Sequence, residues 1–319
     1  MPAPASLSIA AVADQVGGAQ LPDPVVLGPR LAEALATVTD PRHRRGVRHG
    51  LVVVLTAAVC AVAAGARSFV AVAEWVADLP DPVAVALGTD RRCPSESTIR
   101  RLLGQVDADR FDAVIGAFVQ RLCAATEPCG RRRVLTVDGK TVRGSRGRHG
   151  PRHLFAVIDQ HTRAVLGQVE VAGKTNEITA FTPLLDTLTG LELAEVVITA
   201  DALHTQREHV VDLRARGAHW VLTVKGNQPR LRRQLAGLPW RSVEPDHRSV
   251  ETAHGRREIR TLKVVTIAAG IEFPHATQAL QITRKTRPAN TPSRRRGRWR
   301  TETPEFRSWW AGAGAGLGV

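Results

Sequence analysis

Two hydrophobic rhythms divide the chain. From Leu21 to about Glu127 apolar residues recur at helical spacing; beyond Arg131-Arg132-Arg133 they come in short β-branched runs. Leu31–Thr37 (LAEALAT) has helical spacing, between the punctuating Pro24 and Pro41. Leu51–Ala66 (LVVVLTAAVCAVAAGA) is uncharged and shorter than the ~20 residues of a membrane span, so it predicts a buried helix ended by Gly65. In the next helix Phe69, Val72, Trp75, Val76 and Leu79 share one face, with Ser68 as N-cap. A further helix opens after Pro94, capped by Ser95 or Ser97, and Ala108–Ala124 is amphipathic.

The second half predicts strands at Val134–Asp138, His153–Asp159, Ala164–Val171, Val196–Asp201 and His219–Lys225, with helices over Asn176–Leu188, Thr205–Arg216 and Pro229–Leu238. Three closely spaced strands followed by alternating units predict an α/β fold, a mixed sheet with helices on both faces, behind an all-α N-terminal domain. The expected organisation is a flexible arm (1–20), a helical domain (21–130), a sheet domain (131–286) and a basic, then Gly/Ala-rich tail (287–319).

Asp138 and Asp201 each end a run of β-branched and apolar residues. Two such strands side by side would bring the carboxylates to one shared pair of Mg²⁺ (or Mn²⁺) ions, the arrangement for in-line phosphoryl transfer. Taken singly, Asp138 also reads as the turn residue of an Asp-Gly step and Asp201 as a helix N-cap. Lys140, Lys174 and Lys225, three of only five lysines, fall in loops beside predicted strand ends. A compact ammonium there fits a phosphate contact, and loop solubility explains it too. Asn227 and Gln228 read as hydrogen-bonding to DNA or as capping the helix begun by Pro229. His204 reads as a phosphate neighbour or a loop residue, and Glu177 and Glu258 as supporting residues. Ser97, Thr98, Arg100 and Arg101 fit either the recognition element of a helix-turn-helix or a solvated basic face.

Charge sharpens the picture. A formal net charge of +14, carried by 44 basic residues that are mostly arginine, favours a polyanionic partner, although genomic base composition raises arginine as well. Four cysteines without C-x-x-C spacing exclude a zinc-finger pattern and read as reduced thiols of a cytoplasmic protein. The N-terminus lacks the basic start and apolar run of a signal peptide, and no membrane association is expected.

Six motifs in order now carry a resemblance: Asp40-Pro-Arg with the apolar helix after it, Val137-Asp-Gly-Lys140, Gly173-Lys-Thr-Asn-Glu-Ile178, Thr199-Ala-Asp-Ala-Leu-His-Thr-Gln206, Lys225-Gly-Asn-Gln228 and His254-Gly-Arg-Arg-Glu-Ile-Arg260. Over roughly residues 25–302 the chain resembles DDE-type insertion-sequence transposases of the group that includes the H-repeat-associated proteins. The resemblance implies a ribonuclease-H-like fold and Asp138 and Asp201 as metal-holding catalytic acids. It also implies DNA partners (element terminal repeats and target DNA), homodimers during synapsis and a nucleoid-associated protein. The family's third acid sits on a late helix in a pattern of the type H-W-x-I-E-N. Here Arg298-Trp-Arg-Thr-Glu-Thr303 runs instead into a Gly/Ala-rich tail, expected to be truncated or out of frame with that helix lost. Glu302, Glu305 and Glu258 are available, but none has the right context. The implied activity is metal-dependent cleavage and strand transfer, this copy being expected to act poorly. The alternative is a non-catalytic remnant that binds and represses element ends.

Overall fold

The computed structural model describes residues 24–126 apart from 44 and 46, 132–142, 152–171, 177–288 apart from 254 and 269, 300–301 and 305–310. The chain divides into two compact units. One comprises the residues up to Glu127 with His161–Gln168 and Asp186–Leu191; the other comprises Pro128–Gln160, Val169–Leu185 and everything from Glu192 onward.

The first unit holds α1 (Pro24–Leu35), α2 (Leu51–Ala63), α3 (Phe69–Ala77), α4 (Asp81–Leu87), α5 (Glu96–Leu103) and α6 (Ala108–Ala124). The Ser68 hydroxyl accepts from the Ala71 amide at 3.1 Å, and Asp107 caps α6 through Arg110 at 3.0 Å. Gly65, at φ +100, follows α2 as expected. Ser95 stands at the N-cap of α5, but its hydroxyl bonds to those of Ser97 (3.2 Å) and Thr98 (3.0 Å) instead of the backbone. The helices close on Leu35, Val54, Leu55, Ile99, Leu102, Val114 and Phe118. The expected arm of residues 1–20 lies outside the described residues.

A buried amide side chain crosses this unit. Gln120 is 1% exposed; its amide donates to the carbonyls of Leu166 (2.7 Å) and Thr187 (3.0 Å), and its oxygen accepts from the Gly190 amide (2.8 Å). A buried amide with three partners stabilises, whereas its removal takes a hydrogen bond from three backbone groups.

After these helices the chain forms β1 (Val134–Thr141), β2 (His153–Asp159), β3 (Val165–Val171), α7 (Glu177–Asp186), β4 (Val197–Ala200), α8 (Arg207–Ala215), β5 (His219–Val224) and α9 (Pro229–Ala236); the second unit takes β3 only from Val169 and α7 only as far as Leu185. These strands lie in the order β3-β2-β1-β4-β5, with β1 antiparallel to β2 and parallel to β4, and β4 parallel to β5. That five-stranded mixed sheet is the α/β architecture the patterning predicts. Leu135, Val137, Phe155, Val157, Ile198, Trp220 and Leu222 are buried in it. Within the same unit Arg133 and Asp159 form a buried ion pair.

Three expectations are corrected. β1 does not stop at Asp138: Gly139, Lys140 and Thr141 continue it against Phe155, Leu154 and His153, so the Asp-Gly step is strand and not turn. Residues after Trp240 add strands that apolar patterning did not reveal: β6 (His247–Ala253), β7 (Arg256–Thr266) and β8 (Gln278–Pro288), joined by β9 (Arg300–Thr301) on β8. In the tail, Glu305–Trp310 forms β10, which bridges β5 and β8 and gives both a backbone partner. Its aromatic residues suit a strand. Residues 311–319 lie outside the described residues. Among the described residues no helix is long and apolar enough to cross a membrane.

The Gln120 network yields a first prediction. Gln120→Ala is expected to destabilise by roughly 2–4 kcal/mol, the cost of losing three hydrogen bonds and the packing of a buried side chain. Chemical denaturation followed by far-ultraviolet circular dichroism measures it, and a loss well under 1 kcal/mol would contradict the network's role.

Candidate functional site

The parallel register of β1 and β4 sets Val137 opposite Ala200. The next residue after each is an aspartate, Asp138 within β1 and Asp201 just past β4. Neighbouring strands lie about 4.7–4.9 Å apart and residues in register share a face. The hydroxyls of Thr136 and Thr199, two residues earlier on each strand, confirm this by bonding to each other at 2.9 Å. Gln160 closes that contact by donating to Thr136 at 2.6 Å. Leu135, Val137, Ile198 and Ala200 take the other face and are buried, while both aspartates are exposed.

The turn after β4 is held from three sides. Asp201 accepts from the Leu203 amide at 2.9 Å and caps the 3₁₀ turn Ala202–His204, as its N-cap reading expects. Asn227 donates to the Ala202 carbonyl (2.7 Å), Gln228 to the Thr205 carbonyl (2.9 Å), and the Thr205 hydroxyl to the Thr223 carbonyl (2.7 Å). The amides of Asn227 and Gln228 therefore fasten the turn that carries Asp201, and Gln228 makes no side-chain cap on α9.

Behind Asp138 lies a buried carboxylate. Glu177, the first residue of α7, is 3% exposed; its Oε1 lies 2.6 Å from His153 Nε2 and its Oε2 lies 3.4 Å from His204 Nε2. A Cβ at residue 139 would stand 2.3 Å from Glu177 Oε1 and 2.8 Å from His153 Nε2. Glycine is therefore needed at 139 for room, not for a left-handed backbone. His204 is buried, against its loop reading, and stacks on Phe155 with ring centroids 4.8 Å apart. Burial, and then neighbouring His209, push its pKa below the ordinary imidazole value; Asp201 and Glu177 pull the other way. Burial likewise lowers the pKa of His209, whose ring nitrogens face the carbonyls of Ile178 (3.0 Å) and His204 (3.1 Å).

The other sequence candidates disperse. Lys140 on β1 and Lys225 just after β5 are exposed in the same unit as the aspartates. Arg100 pairs with Glu96 at 2.9 Å and Arg101 donates to the Ser97 carbonyl at 3.1 Å, both on an exposed helix face of the first unit. Glu258 is bound by Arg260 and Arg284, as a supporting role requires. Lys174, His254 and Glu302 lie outside the described residues. Among the described residues no group of three or more His, Cys, Asp or Glu could hold a metal ion. The aspartate pair still supplies hard oxygen donors of the kind Mg²⁺ or Mn²⁺ takes. Sequence reasoning missed His153. Its only signal was a histidine opening the strand that pairs with the Asp-Gly step.

Known proteins resemble this chain over most of its length. The family model described as "Transposase DDE domain" matches residues 130–306, and one described as "DDE_Tnp_1-associated" matches residues 32–119. The chain is 29% identical over 238 residues to "Putative transposase YncI" of Escherichia coli O157:H7, covering 72% of this chain and 59% of that protein. It is 28% identical over 239 residues to "H repeat-associated putative transposase YhhI" of Escherichia coli K12, covering 72% and 61%. The chain thus spans about three-fifths of the length of those two relatives. Among solved structures, a piggyBac transposase synaptic complex with hairpin DNA aligns with a TM-score of 0.38 and 10% identity, over 91% of this chain and 61% of that one.

Two predictions follow from the packing. Gly139→Ala is expected to cost about 1–3 kcal/mol by overpacking against Glu177, and much less in a Glu177→Ala background. Equal costs in the two backgrounds would show that Glu177 is not what excludes a side chain at 139. With pH, the unfolded chain takes up a proton at His204 before the folded one does. The stability from its neutral ring is therefore complete above about 6.5 and lost as pH falls toward the folded value. Denaturation midpoints should fall between pH 7.5 and 5.5, and ring nitrogen shifts should report a neutral folded His204 near pH 6.5. An imidazolium there would contradict the assignment.

Proposed function

The chain belongs to the transposases with a DDE domain, and from that membership we propose that it cleaves DNA at the ends of an insertion sequence and joins the ends to target DNA. The observation that carries this reading is the β1–β4 register, which sets Val137 opposite Ala200, the residues that immediately precede Asp138 and Asp201. The strand order β3-β2-β1-β4-β5, with β2 alone antiparallel to β1 among its neighbours, supports a ribonuclease-H-like catalytic domain over residues 131–286. The helical residues 21–130 are its DNA-contacting partner.

In this reading Asp138 and Asp201 hold divalent ions, Mg²⁺ or Mn²⁺, which when bound activate the attacking hydroxyl and stabilise the leaving oxygen. The protein's own side chains do the positioning. Glu177, His153 and His204 brace the Asp-Gly step and the turn after Asp201 from behind; Asn227 and Gln228 fix that turn from β5. Lys140, Lys174 and Lys225 meet phosphates as point charges, and Arg100 and Arg101 contact DNA from the helical region. Pairing of two element ends calls for a homodimer, working at the nucleoid in the cytoplasm.

A second reading has its own support. With two acids and no third metal-binding group among the described residues, the site has less charge and fewer ligands than its chemistry calls for. A copy so built binds metal weakly and occupies or represses element ends more than it cuts them.

Asp138→Ala separates the readings. For an enzyme, cleavage and joining of element-end DNA with Mg²⁺ or Mn²⁺ are lost while DNA affinity persists. If wild type and variant bind ends equally and neither cuts, the repressor reading replaces the enzyme one.

A further inference from the structure

The pairing of β6, β7 and β8 sorts charge by face. In register, Val250 meets Ile259 and Thr252 meets Arg257, while Arg257 meets Arg287 and Ile259 meets Lys285. One face of the three strands therefore carries Arg248, Arg257, Lys263, Lys285 and Arg287, with no acid at any of its strand positions. Both glutamates fall on the opposite face: Glu251 and Glu258 lie with Arg260 and Arg284, in ion pairs of 2.5 to 3.7 Å. The nearest acid in step with the basic face, Asp246 just before β6, accepts from the Val264 amide at 2.7 Å. Lys263 donates to the Trp240 carbonyl; Arg248, Arg257 and Lys285 are exposed.

A solvated surface would not need this sorting. Charges that only keep an outer strand soluble can be mixed in sign, as they are on the glutamate face. Like charges directly opposite, as Arg257 and Arg287 are, destabilise a strand pair. An all-basic face offers an anion spread over several positions a row of matching charges. Cations on one face recur every second residue along each strand and on adjacent strands, which suits a polyanion more than a single small ion. We propose that this face of β6–β8 binds the phosphate backbone of duplex DNA, a contact separate from the aspartate pair and from Lys140 and Lys225. The proposal rests on the DNA reading above.

Adjacent residues of β7 give the test. Arg256 and Arg257 point to opposite faces, both are exposed, and neither forms an ion pair among the described residues. The full chain is titrated onto a short duplex of arbitrary sequence by fluorescence anisotropy across a salt series, with matched thermal melts confirming folding. Arg257→Gln and Lys285→Gln are each expected to lower the log–log salt slope by about 0.9, one released counterion each, and Arg256→Gln to leave it unchanged. An equal effect from Arg256→Gln overturns the facial assignment. Unchanged slopes in all three variants, with wild type still binding, overturn the surface and leave the DNA reading standing. Wild type that ignores duplex but binds phosphatidylserine vesicles through Arg257 overturns it in favour of a lipid partner. Wild type that binds neither brings down this surface and the DNA reading together.

Discussion

The parallel pairing of β1 with β4 is the contact on which the site depends. Two strands far apart in sequence are locked by backbone hydrogen bonds at a register that makes Asp138 follow Val137 just as Asp201 follows Ala200. A slip of one residue would send one aspartate to the other face and bury it among Leu135, Val137 and Ile198, where an ionised carboxylate is costly. The alternation that fills the core therefore also specifies which carboxylates meet. Thr136 and Thr199 reinforce the register on the aspartate face itself.

Around that contact the protein spends buried polar groups where a core would ordinarily be apolar. Glu177 lies beneath Gly139, bonded to His153 and close to His204, and His204 stacks on Phe155 and lies tilted against Phe181. A buried carboxylate survives only with such partners. The arrangement ties the end of β1, the start of β2, the first turn of α7 and the turn after Asp201 into one rigid patch. It also explains the glycine of the Asp-Gly-Lys motif in steric terms: the space its Cβ would need already holds Glu177.

Much of this was legible in the sequence, for stateable reasons. Five β-branched runs gave the core strands, and Ser68 and Gly65 marked helix boundaries through local chemistry that tertiary packing did not override. Asp138 and Asp201 stood out because a carboxylate ending an apolar run is a poor core residue. Their adjacency came only with the register, which no local pattern encodes. His153, Glu177 and His204 belong to three separate segments, and nothing along the chain shows that they meet. β6 to β8 escaped notice because charged and polar residues interrupt their apolar positions and leave no sustained alternation. Glu305–Trp310 was masked by the Gly/Ala-rich residues that follow it.

The central claim is that one register makes one site from two strands, and binding of Mn²⁺ to the isolated protein tests it most directly. Paramagnetic broadening of backbone amide resonances should centre on Gly139 in β1 and Ala202 in the turn after β4. Either Asp138→Asn or Asp201→Asn alone should abolish it at both positions together. Broadening that persists at one strand end when the other aspartate is replaced, or that centres on Glu258 instead, would contradict a shared site.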